Sequence, residues 1–131
     1  MAAAESYPDD LKYHREHDWA RLEGDEAVLG VTWFAQDALG ELVHFEAPEV
    51  GATVTAGQSY GEVESVKAVS DVIAPLSGEV LEVNQAVVDA PETVNEDPYG
   101  DGWLVRIRLS DPSERDQLLD VAAYRKVLEE T

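Results

Sequence analysis

Lys12, Lys67 and Lys126 are the three lysines of this 131-residue sequence, and the surroundings of Lys67 differ from those of the other two. Strand-like runs at 60–66 and 69–73 flank it, which predicts a tight hairpin with Lys67 at the connection and its ammonium in solvent. An amine at an exposed turn on a rigid base is accessible to a modifying enzyme and, once acylated, carries its attachment in a fixed frame. Lys12 precedes the predicted strands, and Lys126 lies in a helical pattern near the carboxyl end.

Closely spaced carboxylates suggest a second chemistry, acid–base hydrolysis. Glu62 with Glu64, or Asp97 with Asp101, are the pairs that this would use. A chain of this length with a solid β core has little room for a deep substrate pocket, and acidic residues occur along the whole sequence. Length and the spread of acidic residues therefore argue against a hydrolytic enzyme.

Metal and thiol chemistry find little support. The sequence contains no cysteine, which excludes disulfides, thiolate nucleophiles and Cys-ligated metals. His14, His17 and His44 form no HxH or HxxxH pattern, so no metal site is expected. We expect His17 to pack or hydrogen-bond near a strand start and His44 to lie on a strand surface.

The charge balance limits the possible partners. With 28 Asp and Glu against 9 Lys and Arg, the formal net charge is -19 and the isoelectric point about 4.2. Such a chain is repelled by nucleic acid and by anionic membranes, and is attracted to proteins with basic faces. The acidic amino terminus resembles neither a signal peptide nor a transit peptide, which predicts a bacterial cytoplasmic protein, or a mitochondrial one only if a presequence has been removed.

The elements that position Lys67 are mostly short strands. Besides the two around the lysine, alternation or apolar runs bounded by turn residues predict strands at 19–22, 27–31, 41–46, 79–83 and 103–109. Many short strands at close spacing are typical of a sandwich or barrel. The stretch 33–39, followed by Gly40, predicts a short helix. The aromatic residues Trp19, Trp33, Phe34, Tyr60 and Trp103 are expected in the core, with Tyr99 as an exposed contact.

The carboxyl-terminal part has a helical pattern. Asp111 before Pro112, with Glu114 three residues after Asp111, has the form of an N-cap with a box-closing carboxylate. Apolar residues from Leu118 to Leu128 then recur at helical spacing, which predicts an amphipathic helix that caps the β core. The region 89–102 is predicted to be a long loop of the length at which loops are often functional. The whole chain, 1–131, is interpreted as one domain.

The segment Glu64-Ser65-Val66-Lys67-Ala68, followed by Ser70-Asp71-Val72 and 75–84, closely resembles the lipoyl-attachment hairpin of glycine cleavage H proteins. Lipoyl domains of 2-oxoacid dehydrogenases usually present Asp-Lys-Ala and biotin carriers Met-Lys-Met, so Val66-Lys67-Ala68 argues against both. The resemblance covers nearly the whole chain. Its further matching segments are 11–13, 17–19, 30–32, 35–36, 39–43, 48–51 and 95–103.

This resemblance implies a β-rich barrel-sandwich hybrid with short peripheral helices, and lipoic acid in amide linkage on Lys67. It implies a monomeric, non-catalytic carrier that takes an aminomethyl group from a pyridoxal-phosphate-dependent glycine decarboxylase to a tetrahydrofolate-dependent aminomethyltransferase. Dihydrolipoyl dehydrogenase and lipoylating enzymes are the other implied partners. An added role, relay of lipoate to 2-oxoacid dehydrogenases, stays open.

The resemblance also implies two acids near the loaded arm, which in the family folds back into a surface cleft. These roles fall to Asp18 and Asp71 in this sequence. Asp18 departs from the usual Glu and is one methylene shorter. The alternative, that both are solvated acids on an acidic surface, stays open at this point.

Overall fold

The computed structural model describes residues 3–131 and consists mainly of antiparallel strands with short helices. The strands are β1 Lys12–His14, β2 Asp18–Glu23, β3 Glu26–Val31, β4 Leu42–Glu46, β5 Thr53–Val54, β6 Ser59–Ser65, β7 Val69–Ile73, β8 Gly78–Val83 and β9 Val105–Leu109. The helices are α1 Trp33–Leu39, α2 Gln85–Asp89, α3 Thr93–Glu96 and α4 Val121–Glu129, with a 3-10 helix at Pro112–Gln117.

The strands form two sheets. The larger has the order β1-β2-β3-β9-β8-β5, and the smaller has the order β4-β6-β7. Side chains from both sheets meet in one apolar cluster, so the fold is the expected barrel-sandwich hybrid. The fully buried members include Leu29, Val80 and Ile107 from the larger sheet and Val63 and Val72 from the smaller one.

A second apolar cluster lies under the carboxyl-terminal helix. The rings of Tyr13 on β1 and Tyr124 on α4 stack at 4.7 Å between centroids, and both side chains are fully buried. Trp19 belongs to the same cluster, and its indole N–H donates to the carbonyl of Pro98. The cluster fixes α4 against β1 and β2. The prediction of a helix that caps the β core is therefore confirmed.

The carboxyl-terminal segment differs from the prediction in two respects. Asp111 caps the 3-10 helix by accepting from the amide of Ser113, but Glu114 does not close a capping box. Its carboxylate instead accepts from the amide and the hydroxyl of Ser77. The helical pattern is also interrupted at Leu119, which exchanges backbone hydrogen bonds with Tyr13 before α4 begins.

Other differences concern short elements. β1 and β5 contain only 3 and 2 residues and were not predicted. The region predicted as a loop includes α3 and the end of α2.

Helix α1 agrees with the prediction, with Thr32 as its N-cap and Gly40, at φ 86°, as its C-cap. Of the expected core aromatics, Trp19 and Tyr60 are buried, whereas Trp33, Phe34 and Trp103 are half-buried.

Within residues 3–131 no helix has both the length and the apolarity needed to cross a membrane. The same residues contain no group of three or more His, Cys, Asp or Glu side chains placed to hold a metal ion.

Candidate functional site

Lys67 lies at the tip of the β6–β7 hairpin and is exposed to solvent. The two strands pair down to Glu64 opposite Val69, and the amide of Ser65 then donates to the carbonyl of Ala68 at 2.8 Å. Only Val66 and Lys67 remain between the two bonded residues. The lysine therefore projects from a two-residue connection at the end of a paired ladder, as the alternation predicted.

Ser65 gives this tip its shape. Its side chain is buried, 4% exposed, although it lies beside the most exposed residues of the hairpin. The hydroxyl oxygen accepts from the amides of Lys67 and Ala68 at 3.3 and 3.2 Å. The amides of the turn are thus satisfied inside the protein, which holds the backbone of Lys67 in one conformation.

The side chain of Lys67 extends across the end of helix α1. A Cβ built on Gly40 would lie 3.3 Å from Lys67 Cε and 3.8 Å from Nζ. Gly40 has a positive φ and ends α1, so the residue that stops the helix also leaves space for the lysine chain. The sequence predicted Gly40 as a helix stop but contained no sign of this second role.

An acidic cavity opens beside this contact. It has a volume of about 330 Å³ and includes Gly40 in its wall. The amide of Asn95 forms part of the wall, and it donates to Gln36 Oε1 and to the carbonyl of Gly40. Carboxylates supply most of the remaining wall: Asp37, Glu41, Glu92 and Glu96.

Three valines around the lysine are exposed. Val66 and Val69 flank Lys67 on the hairpin, and Val43 lies on the adjacent strand β4. Their exposed fractions are 89%, 58% and 49%. Two exposed carboxylates of β6 lie on the same hairpin, Glu64 opposite Val69 and Glu62 two residues further from the tip. The tip therefore combines an apolar centre with an acidic border.

Asp18 is buried between the two sheets rather than solvated. It begins β2, is only 2% exposed, and accepts through Oδ1 from the amide of Ile73 on β7 at 3.3 Å. Burial raises its pKa well above 3.8, the Ile73 amide lowers it, and the negative charge of Glu16 raises it further. No cationic side chain within residues 3–131 pairs with it. Of the two interpretations of Asp18, the solvated surface acid is wrong.

A hydrogen-bonded group of side chains lies next to Asp18. The hydroxyl of Tyr124 pairs at 2.8 Å with Thr32 Oγ1 and at 2.8 Å with His17 Nδ1. His17 adopts a positive φ of 74° immediately before Asp18, and burial lowers its pKa. The expectation that His17 hydrogen-bonds near a strand start is confirmed.

Asp71 is exposed on β7, where it lies opposite Glu62. Its Oδ1 accepts from the hydroxyl of Ser59 at 3.2 Å. Asp71 and Ile73 are two residues apart on the same strand, so they lie on one face of β7. Asp18, on β2, binds the backbone of β7 at Ile73, so its carboxylate contacts β7 two residues from Asp71. Lys67 lies at the tip of the hairpin that β7 forms with β6.

Tyr60 was predicted only as a core residue. Its hydroxyl is the one buried side-chain nitrogen or oxygen in residues 3–131 that has no hydrogen-bond partner. Burial raises the pKa of this hydroxyl well above 10, and the charge of Asp18 adds to the effect. Nothing in the local sequence pattern indicates this isolation, because it results from contacts between strands.

A barrel-sandwich fold that presents one lysine at the tip of a rigid hairpin defines a class of protein, the carriers of a lysine-linked group. The comparisons give the family within this class. The model of the glycine cleavage H-protein family matches residues 11–131. The chain therefore belongs to the glycine cleavage H-protein family, which provides the lipoyl-carrier component of the glycine cleavage system.

Individual relatives agree with this assignment. The chain is 54% identical over 123 residues to the glycine cleavage system H protein of Anaeromyxobacter sp. (strain K), covering 94% of this chain and 96% of that protein. It is 55% identical to the H protein of Rubrobacter xylanophilus, with coverage of 94% and 95%. The crystal structure of the Mycobacterium marinum H protein matches with a TM-score of 0.85 and 42% identity, over 94% of this chain and 99% of that one. The resemblance found in the sequence is confirmed.

Proposed function

We propose that this chain, as a single carrier domain over 1–131, bears lipoic acid in amide linkage on Lys67. In this role it shuttles an aminomethyl group from glycine decarboxylase to aminomethyltransferase, acts as a monomer in the cytoplasm, and depends on dihydrolipoyl dehydrogenase for reoxidation. When bound, the lipoyl group supplies a disulfide that accepts the aminomethyl group and is reduced in the same step. The chain itself supplies the attachment point and the environment, and no catalytic residue.

The geometry of the Lys67 tip carries this proposal. The amine is exposed, while the backbone that bears it is fixed by the hydrogen bonds of Ser65. Lys12 lies within the short strand β1, and Lys126 lies on helix α4, so neither is at a hairpin tip. A lipoylating enzyme that recognises a rigid turn would therefore select Lys67.

The position of Lys67 over Gly40 supports a path for the attached arm. Helix α1 extends from there back to its cap at Thr32, a rise of about 10 Å for its 7 residues. Asp18 is paired with Val31, the residue before that cap. The surface of α1 thus connects the lysine end of the site with the Asp18 end.

Asp18 and Asp71 fit an arm that ends in a primary amine. Asp18 is a buried carboxylate to which no cation of residues 3–131 is paired, and such a group is stabilised when a cation reaches it. Asp71 adds negative charge at the surface of β7, two residues from the Ile73 amide that Asp18 binds. The acidic cavity wall beside Gly40 adds further attraction for a cation. We propose that Asp18 holds the ammonium form of the loaded arm and that Asp71 lies along its approach.

Reconstituted glycine cleavage tests the proposal. Lys67→Arg keeps the positive charge and removes the amine that can be acylated, so it should retain the fold and abolish support of glycine cleavage. Lys126→Arg, on helix α4, is the matched control and should behave as the parent. Full activity of Lys67→Arg, or loss of activity in both variants, contradicts the assignment of the arm to Lys67.

A further inference from the structure

The isolated hydroxyl of Tyr60 lies at an irregular position of the sheet. The β6–β7 ladder pairs Ser59 with Ile73 and then shifts register before Gly61, so Tyr60 falls within the irregularity. The side chain is 7% exposed, and its oxygen is fully enclosed without a partner. A buried polar atom in this state is destabilising, so it calls for an explanation beyond packing.

Asp18 reaches the same place from the opposite sheet. Its carboxylate accepts from the amide of Ile73, the residue paired with Ser59 next to Tyr60. Burial, and after it the charge of Asp18, raise the pKa of the Tyr60 hydroxyl, which agrees with this arrangement. Near the Ser59–Ile73 pair, residues 3–131 thus bury two polar groups, a carboxylate with no cation paired to it and a hydroxyl with no hydrogen-bond partner.

The polar groups beside Asp18 already have partners. The hydroxyl of Tyr124 is engaged by Thr32 and by His17, and the amide of Ile73 already donates to Asp18. A ligand that serves both Asp18 and Tyr60 needs donors for the carboxylate and another donor for the hydroxyl oxygen. A primary ammonium ion has three N–H donors and meets this need, whereas a carboxylate ligand would be repelled by Asp18.

We propose that Tyr60 is a positioning residue whose hydroxyl oxygen accepts a hydrogen bond from the primary ammonium ion held by Asp18. The inference rests on the proposed function, in which that ammonium is the end of the arm on Lys67. Breakdown of the aminomethyl group uses the nitrogen lone pair to expel the sulfur, and water then yields formaldehyde and ammonia. A nitrogen that stays protonated and bonded to both side chains has no lone pair available, so Tyr60 slows this loss.

The experiment compares fully lipoylated, aminomethylated parent protein with Tyr60→Phe, which removes only the hydroxyl. We expect the variant to release formaldehyde and ammonia several-fold faster. Its melting temperature without the arm should be no lower than that of the parent, because an unpaired buried hydroxyl is removed. An equal release rate overturns the inference.

A spectroscopic readout is independent of turnover. With tyrosines labelled at 13Cζ, the Tyr60 signal is identified by its absence from Tyr60→Phe. We expect it to move when the arm is loaded and to stay in place on lipoylation alone. A signal that loading leaves unchanged overturns the inference, and that is the result if the hydroxyl binds only a water molecule.

Asp18→Asn separates this inference from the proposed function. If Asp18→Asn speeds the release and Tyr60→Phe does not, Asp18 still holds the ammonium and the role of Tyr60 is wrong. If neither variant changes the release rate, the arm site at Asp18 is wrong as well, while carriage on Lys67 is decided separately by Lys67→Arg.

Discussion

Replacing the buried acid Asp18 with asparagine should stabilise the chain before lipoylation. Asp18 is 2% exposed, is paired with no cation of residues 3–131, and receives a hydrogen bond from the amide of Ile73. Asparagine has nearly the same shape and keeps an oxygen that can accept this bond. The main change is the removal of a buried charge, which is unfavourable in the unloaded protein.

The size of the effect follows from proton linkage. Burial raises the pKa of Asp18 in the folded state well above its reference value of 3.8. Below about pH 3.8, Asp18 is protonated in both the folded and the unfolded state, and the fold contains no buried charge at this position. As the pH rises through the folded-state pKa, the carboxyl group loses its proton inside the protein, and this part of the stability is lost. Between these two values, the free energy of unfolding of the parent relative to Asp18→Asn should fall by about 1.4 kcal/mol per pH unit.

The assay is calorimetric or urea unfolding of unlipoylated parent and Asp18→Asn from pH 4 to 8. A slope of this size corresponds to about 5 °C in melting temperature per pH unit for a domain of this length. The slope is decisive because any cost of burying the asparagine amide is the same at every pH. Asp71→Asn, which changes an exposed acid of β7, is the control and should change the free energy of unfolding much less than Asp18→Asn does. A difference between parent and Asp18→Asn that stays constant from pH 4 to 8 would refute the assignment of Asp18 as a buried, unpaired charge.

Three further predictions concern Ser65 at the hairpin tip, the exposed acid Asp71, and docking to the decarboxylase. Ser65→Ala removes the hydroxyl that accepts from the Lys67 and Ala68 amides. It should lower the free energy of unfolding in urea by about 1 kcal/mol and slow lipoylation several-fold. An unchanged lipoylation rate would show that the lipoylating enzyme does not recognise the rigidity of the turn. Asp71→Asn should speed decay of the aminomethylated protein by up to a few fold, because exposed ion pairs are worth about 0.2–1 kcal/mol. A decay rate equal to that of the parent would show that Asp71 is only a solvated surface acid. Because the net charge is -19, the apparent Michaelis constant for the decarboxylase should rise with salt, and a flat response would assign docking to the exposed valines instead.

The residue pattern predicted the parts of the fold that depend on local periodicity. The alternation around Lys67 gave the hairpin, and the buried face of β9 follows the predicted alternation of Val105, Ile107 and Leu109. Strands of 2 or 3 residues contain too few positions for any alternation to be seen, which explains why β1 and β5 were missed. The role of Glu114 was also missed, because its partner Ser77 is distant in sequence.

The candidate site also contains residues that the sequence predicted and features that it did not. Lys67 could be found because its flanking segment resembles a known attachment hairpin, and Asp18 and Asp71 followed from the same resemblance. The burial of Asp18 and the isolation of the Tyr60 hydroxyl could not be predicted, since both depend on how β2 contacts β7 across the two sheets. Local sequence patterns carry no information about such contacts.

Peptide mapping of the full chain, after co-expression with a lipoylating enzyme and lipoate, shows directly which lysine carries the arm. We expect the mass of one lipoyl group on the peptide containing Lys67, with Lys12 and Lys126 unmodified. A lipoyl group on Lys12 or Lys126 with Lys67 bare would contradict this expectation.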